Sequence, residues 1–168
     1  MPKAKSIGLL SYVDNPASML LYRELQERAR PLGLAINFYD GTSPANVERA
    51  FQAMARDRVD ALVAGAAGDI VNQAQQIPQA AARQRIPAIY GRRDFVDAGG
   101  LMSYAADYDA LFPRAAYYVH RILQGARPSQ LPFESMSTYK LVLNVKAAKA
   151  LGLKIPKSVR ARVDEAIQ

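Results

Sequence analysis

The sequence predicts an α/β domain: a five-stranded parallel sheet with helices on both faces. Five short apolar runs, at residues 6–12, 34–40, 59–65, 86–91 and 101–104, recur through the first two thirds of the chain. Between them, apolar residues repeat every three to four positions, the period of an amphipathic helix. Strands and helices that alternate at this spacing build βαβ units with right-handed crossovers, hence a parallel sheet. At 168 residues, half of them hydrophobic, the chain suits one domain with a real core rather than two small ones.

The first strand, Ser6 to Tyr12, leads into Asn15-Pro16. Asn15 can cap free N–H groups at a helix start, and Pro16 fits the first helical position. The helix over 15–33 places Leu21, Leu25, Arg28, Ala29 and Leu32 on one inward stripe. Residues 34–40 form the second strand. Ser43-Pro44 opens a helix with Val47, Ala50, Phe51 and Met54 on one face. Residues 59–65 form the third strand. Residues 69–85 read as helical, and Pro78 predicts a kink or break near Ile77 because it removes a backbone hydrogen bond. Residues 86–91 are the fourth strand, 93–98 a single helical turn and Leu101 to Tyr104 the fifth strand.

Asp107 caps the clearest helix, with Tyr108, Leu111, Phe112, Ala115, Val119, Ile122 and Leu123 in one stripe. A Pro- and Gly-punctuated linker follows at 125–132. Residues 126–168 then form a C-terminal extension of the single 1–168 lobe. It consists of a strand at 138–144, a short helix capped by Asn144 and stopped by Gly152, and a final amphipathic helix over 155–168 with Val159, Val163 and Ile167 inward.

Several function classes fall away. The chain has no cysteine, so it carries no disulfide, thiolate nucleophile or Cys-based metal site. Its one histidine, His120, lies mid-helix with no orienting partner or nucleophile in view, which argues against an enzyme. No cluster of His, Asp or Glu suggests a metal, and no GxGxxG or GxxxxGK[ST] suggests a nucleotide cofactor, so no cofactor is expected. A receiver domain needs a Lys after the fifth strand, where this chain has Ser103-Tyr104. The net charge of +7 is uneven: residues 139–168 carry seven Lys/Arg against two Asp/Glu. With only Tyr139 interleaved, that tail reads as a solvated face rather than a nucleic-acid surface. The apolar run Ile7–Val13 contains Gly8 and Ser11 and ends at Asp14 without a cleavage signal, so it is a strand and not a signal peptide. No run reaches the ~18–20 apolar residues of a membrane span. As written, the chain reads as cytoplasmic.

What remains is the set of loops at the carboxyl ends of the strands, where open α/β sheets bind ligands. They read Tyr12-Val13-Asp14-Asn15, Ala66-Ala67-Gly68-Asp69, Tyr90-Gly91-Arg92-Arg93-Asp94 and Ser103-Tyr104. Three tyrosines end three strands, and helix N-termini follow them. One reading is a site for a small molecule with a carboxylate and a flat apolar part. The other is that tyrosine simply tolerates a sheet edge, that Asp94 caps a helix, and that Arg92 and Arg93 are solvated.

Residues 86–156 resemble the second half of an ABC-transporter substrate-binding protein of the tryptophan/tyrosine type. The likeness runs through Tyr90-Gly91, Arg93-Asp94-Phe95-Val96, Gly99 to Tyr104 and Leu141 to Pro156, and upstream through Asn15-Pro16-Ala17-Ser18. The resemblance implies one lobe of a periplasmic-binding-protein type 1 fold and a non-enzymatic solute-binding role. It implies an aromatic or branched amino acid as ligand, an ABC permease as partner if transport is retained, and a periplasmic setting for full-length relatives. Tyr12, Tyr90 and Tyr104 would supply flat apolar surface, Asn15, Ser18 and Ser103 would hold a carboxylate, and Asp69 or Asp94 would meet an ammonium. The chain departs from the family in lacking a first lobe and an export signal, in the loop Ala64 to Asn72, and in Pro78. These departures raise an alternative, a truncated relative acting as a self-associating interaction domain. A homodimer is expected on either reading, because Leu141, Leu143, Val145, Leu151, Leu153, Ile155, Val159 and Val163 would otherwise lose their cover.

Overall fold

A computed structural model describes residues 4–135 and 138–168. In chain order the elements are β1 (Ser6–Ser11), α1 (Pro16–Ala29), β2 (Ala35–Asp40), α2 (Pro44–Arg56), β3 (Ala61–Ala64), α3 (Gly68–Val71), α4 (Gln76–Arg83) and β4 (Ala88–Tyr90). They continue with α5 (Asp94–Asp97), β5 (Met102–Ala106), α6 (Tyr108–Leu123), β6 (Tyr139–Asn144), α7 (Val145–Ala150), α8 (Lys157–Arg160) and β7 (Glu165–Ile167).

The sheet has seven strands in the order β2-β1-β3-β4-β5-β6-β7. The first five are mutually parallel, as the alternation predicts. The expectation of a purely parallel five-stranded sheet is nevertheless too small. β6 runs antiparallel to β5, and β7 joins parallel to β6. The cause is the route of the chain. It leaves β5 at the carboxyl edge of the sheet into α6 and returns at that same edge, so the next strand must run the opposite way.

β7 replaces part of the final helix expected over 155–168. Only Lys157–Arg160 is helical. Asp164 then ties the segment to β6: its N–H donates to the Leu141 carbonyl at 3.0 Å and its carboxylate accepts from the Leu141 N–H at 2.7 Å. An open strand edge outweighs helix propensity, which is a weak prior. Pro78 does not break a helix either. The interruption lies upstream, between α3 and α4, and Pro78 occupies the first turn of α4, where its missing N–H costs nothing.

The capping signals hold. Asn15 accepts from the N–H groups of Ala17 and Ser18, Ser43 from Asn46, Asp107 from Asp109 and Ala110, and Asn144 from Ala147. Gly152, at φ +69°, ends α7 in the left-handed conformation that suits glycine.

The two faces of the sheet are covered unequally. On one face, Leu10, Leu62, Ala64 and Tyr90 pack under α2, α4 and α5 through Val47, Phe51, Met54, Ile77, Phe95 and Val96. The other face carries α1 near β1 and β2, and a smaller cluster of Leu101, Leu143 and Ala148 near β5 and β6. Between them Val63, Ile89 and Met102 are only half-buried. The stripe expected to point inward from α1 follows suit: Ala29 is buried and Leu25 half-buried, but Leu21 and Leu32 are exposed. The regular stripe on α6 is also uncovered, since no residue of that helix is buried. Leu143, by contrast, is buried within this chain, and Leu151, Leu153, Ile155 and Val163 pack around its cluster.

Asp60 fastens the amino edge of the sheet. Its carboxylate accepts from the N–H groups of Lys5 and Ser6 at 2.7 and 3.0 Å, which holds its pKa below the usual range. A depressed carboxyl pKa contributes stability that is present above the unfolded pKa and is lost as pH falls through the folded one. The stability advantage over Asp60→Ala is therefore expected at neutral pH and should shrink below about pH 4. Urea midpoints measured from pH 7 downward check this, and a difference that grows on acidification would contradict it.

Candidate functional site

The carboxyl edge of the parallel strands is built by tight turns. After β4, Gly91 donates its N–H to the Ala64 carbonyl at 3.0 Å. A Cβ on Gly91 would lie 3.0 Å from the Ala66 Cβ, so a residue without a side chain lets the two strand-end turns close. Beyond Gly91 the chain bends through Arg92 and Arg93 into α5, which lies against the sheet through the fully buried Phe95 and Val96.

The structure distributes the sequence-derived site residues over several places. Tyr12 is half-buried beyond β1. Asn15 spends its side-chain oxygen on the α1 cap, and Ser18 is buried with its hydroxyl 3.1 Å from that of Ser11. Asp69 is exposed in the first turn of α3. Tyr90 lies in the core at 1% exposure, stacked on Phe95 with ring centroids 4.9 Å apart. Burial pushes its phenol pKa up. It supports the edge from beneath instead of offering a ring face to solvent. Tyr104 is half-exposed and stacks on Tyr139 at 5.4 Å. Alternation along β5 puts it on the sheet face opposite Ser103.

Asp94 and Ser103 do come together. They line one cavity of about 300 Å³ with Arg92, Asp107, Tyr108 and Lys140. Its floor is the antiparallel pair β5–β6, in which Ser103 faces Val142 and Ala105 faces Lys140. The Arg92 Nε donates to Asp94 at 2.9 Å, and its guanidinium sits 5.1 Å from the Tyr108 ring centroid, within cation–π range. Lys140 Nζ lies 3.0 Å from Asp107 and 3.9 Å from Asp109. Each cation draws its carboxyl partner down: Arg92 holds Asp94, and Lys140 holds Asp107, below the usual range. Arg93 clamps the outer wall by pairing with both Asp97 and Glu165 of β7.

Ser103 is the unusual member. It is 1% exposed, and its hydroxyl has no hydrogen-bond partner among the described residues. A buried hydroxyl without a partner costs about 1–3 kcal/mol. Unsatisfied polar groups in otherwise well-bonded folds need a reason, and a ligand is one. The cavity thus combines fixed charges of both signs, a free hydroxyl and an aromatic face. Its charges are held in pairs, Arg92 with Asp94 and Lys140 with Asp107. Among the described residues, no group of three or more His, Asp or Glu is placed to hold a metal ion.

Sequence reading passed over Arg92, Asp107, Tyr108 and Lys140 as site residues. The acid two positions after Arg92 was a usable signal. Lys140 carried none, because only the antiparallel return of β6 sets it beside Asp107.

A doubly wound sheet with a polar cavity and helix N-termini at its carboxyl edge has the architecture of one ligand-binding α/β lobe. The chain belongs to the ABC transporter substrate binding protein family, whose sequence profile matches residues 1–167. No curated protein matches it in sequence. Among solved structures, a conserved domain protein from Vibrio cholerae superposes with a TM-score of 0.86 at 27% identity, over 99% of this chain and 56% of that one. An ABC domain from Streptococcus pneumoniae in complex with L-Trp gives 0.85 at 26%, over 99% and 58%. A ligand-free, open substrate-binding protein with adhesive properties from Clostridium difficile gives 0.72 at 21%, over 99% and 56%, and shows the fold alone. The chain therefore spans little more than half the length of these structures. No helix among the described residues is long and apolar enough to cross a membrane.

Proposed function

We propose that the chain is a non-enzymatic solute-binding lobe for an amino-acid-like ligand, aromatic or branched, and that it serves an ABC permease in the manner of its family in a periplasmic setting. The observation that carries the reading is the unpartnered Ser103 hydroxyl in a cavity with Arg92, Asp94 and Tyr108. Of the residues named from the sequence, Asp94 and Ser103 are the direct ligand contacts in this reading. Tyr12, Asn15, Ser18, Asp69 and Tyr104 shape the remainder of the edge, and Tyr90 supports it from the core. The relative in complex with L-Trp supports an aromatic amino acid as the first ligand to try.

A thermal-shift and calorimetry series with the common amino acids tests this. Ligand at 100 times its dissociation constant should stabilise the chain by about 2.7 kcal/mol. No shift and no heat with any amino acid at millimolar concentration would overturn it. Ser103→Ala sharpens the test. Removing an unpaired buried hydroxyl should leave ligand-free stability unchanged or raise it by about 1 kcal/mol. Ligand affinity should fall several-fold, and wild-type affinity in this variant would remove Ser103 from the site.

A second reading, a self-associating interaction domain, is favoured by α6, which exposes its entire apolar face. Light scattering on the ligand-free chain separates it from a monomeric binding lobe.

A further inference from the structure

The wall of the Ser103 cavity is held by ion pairs, and one partner comes from the last strand of the sheet. Register sets Ser103 of β5, Val142 of β6 and Glu165 of β7 in one row across three strands. Side chains paired in this way point to the same face of a sheet. Val142 and Arg93 border the cavity, and Glu165 lies one strand further out. Glu165 therefore acts on the cavity through Arg93.

The contact between them is specific. Arg93 Nη2 donates to Glu165 at 2.8 Å and Nη1 donates to the other carboxylate oxygen, the two-pronged fit of a guanidinium to a carboxylate. Arg93 Nε donates to Asp97 at 3.2 Å. Every nitrogen of this guanidinium thus has an acceptor other than Asp94. The neighbouring Arg92 is free to put its own Nε on Asp94 at 2.9 Å and its guanidinium over Tyr108. Two adjacent arginines share three carboxylates without competing. The hydrogen bonds from Arg93, with a smaller contribution from Lys140, hold the Glu165 carboxyl below its usual range, so it stays charged at neutral pH.

Removing the Glu165 charge frees both Nη groups of Arg93. Asp94, the next residue in the chain and half-exposed, is within reach of a long arginine side chain. A second guanidinium there competes with Arg92 and releases it from Tyr108. Global stability hardly registers this, because half-exposed ion pairs contribute little to folding.

We propose that Arg93 and Glu165 are positioning residues of the cavity: β7 holds Arg93 aside, so that the Arg92–Asp94 pair and the face of Tyr108 keep their places beside Ser103. The assignment rests on the solute-binding reading above and adds the last strand of the sheet to the site.

The test has one arm without ligand and one with it. In NMR spectra of the ligand-free chain, the Arg92 Nε–H should exchange slowly with water. In Glu165→Gln this exchange should quicken several-fold, and an unchanged rate overturns the proposal. In the second arm, calorimetry with L-Trp should show affinity weakened about tenfold in Glu165→Gln. The unfolding midpoint should stay within about 2 °C of wild type. Wild-type affinity in this variant, or a fall in the midpoint as large as that of a core variant, overturns it. Glu165→Asp, which keeps the charge, should recover part of the loss. Arg93→Met should weaken binding as much as Glu165→Gln, and the double variant no further. Additive losses would show that Glu165 does not act through Arg93. If the wild-type chain takes up no L-Trp, the choice of that ligand falls, and the Arg92 exchange rate still decides this proposal.

Discussion

Phe95→Ala is expected to lower the unfolding free energy by about 3–5 kcal/mol, the range for removing a buried aromatic ring. Phe95 is fully buried and lies nearly parallel to Tyr90, with 7° between the ring planes. α5 has only four residues, too few to be stable without tertiary contacts. Phe95 and Val96 are its buried anchors. Without the ring, α5 loses its seat on the sheet, and Arg92, Asp94 and Asp97, which wall the cavity, lose their placement. The effect should therefore appear twice: as a fall of about 10 °C in the unfolding midpoint, and as loss of ligand affinity in whatever fraction stays folded. Phe95→Leu, which keeps most of the volume, should restore much of both. A Phe95→Ala midpoint within a degree or two of wild type would show that α5 is not held as described.

Gly100→Ala is expected to be the most damaging change of a single methyl group. A Cβ at Gly100 would stand 2.5 Å from Tyr90 Cε2 and 2.6 Å from the Phe95 carbonyl oxygen. That oxygen also accepts the Gly100 N–H at 2.8 Å, so the backbone cannot withdraw without breaking the bond. The Tyr90 ring cannot yield either, because Phe95 is stacked on it. Overpacking of this kind costs about 1–3 kcal/mol and more where the neighbours are rigid. Urea unfolding measures it. A second prediction follows from the shared neighbour: Phe95→Ala opens room beside Tyr90, so the double variant should lose less than the sum of the single losses. Strict additivity would show that the ring is free to move.

Much of this was local and therefore legible. Asn15, Ser43, Asp107 and Asn144 each cap a helix with their own side chain, an interaction that spans two or three residues. That strands β1 to β5 run parallel follows from alternation, because each βα connection returns the chain to the same end of the sheet; their order, with β1 between β2 and β3, does not. The family likeness was equally open to reading, since it lies in contiguous stretches such as Gly99 to Tyr104 and Leu141 to Pro156.

Tertiary structure decided what depends on distant residues meeting. Val163 and Ile167 fit a helix by spacing, yet the open edge of β6 draws Glu165–Ile167 into the sheet, since unpaired strand groups gain more from pairing than a short helix gains from propensity. The sequence sets Tyr90 at a strand end alongside Tyr12 and Tyr104, but Tyr104 lies mid-strand in β5, and Phe95 and Gly100 close over Tyr90, so that it becomes core. Lys140 reaches Asp107 only because β6 runs antiparallel, which turns an unremarkable lysine into part of the cavity wall. The stripe on α6 was fully visible in the sequence. Whether a stripe is buried depends on what the fold sets against it, and among the described residues none of α6 is buried.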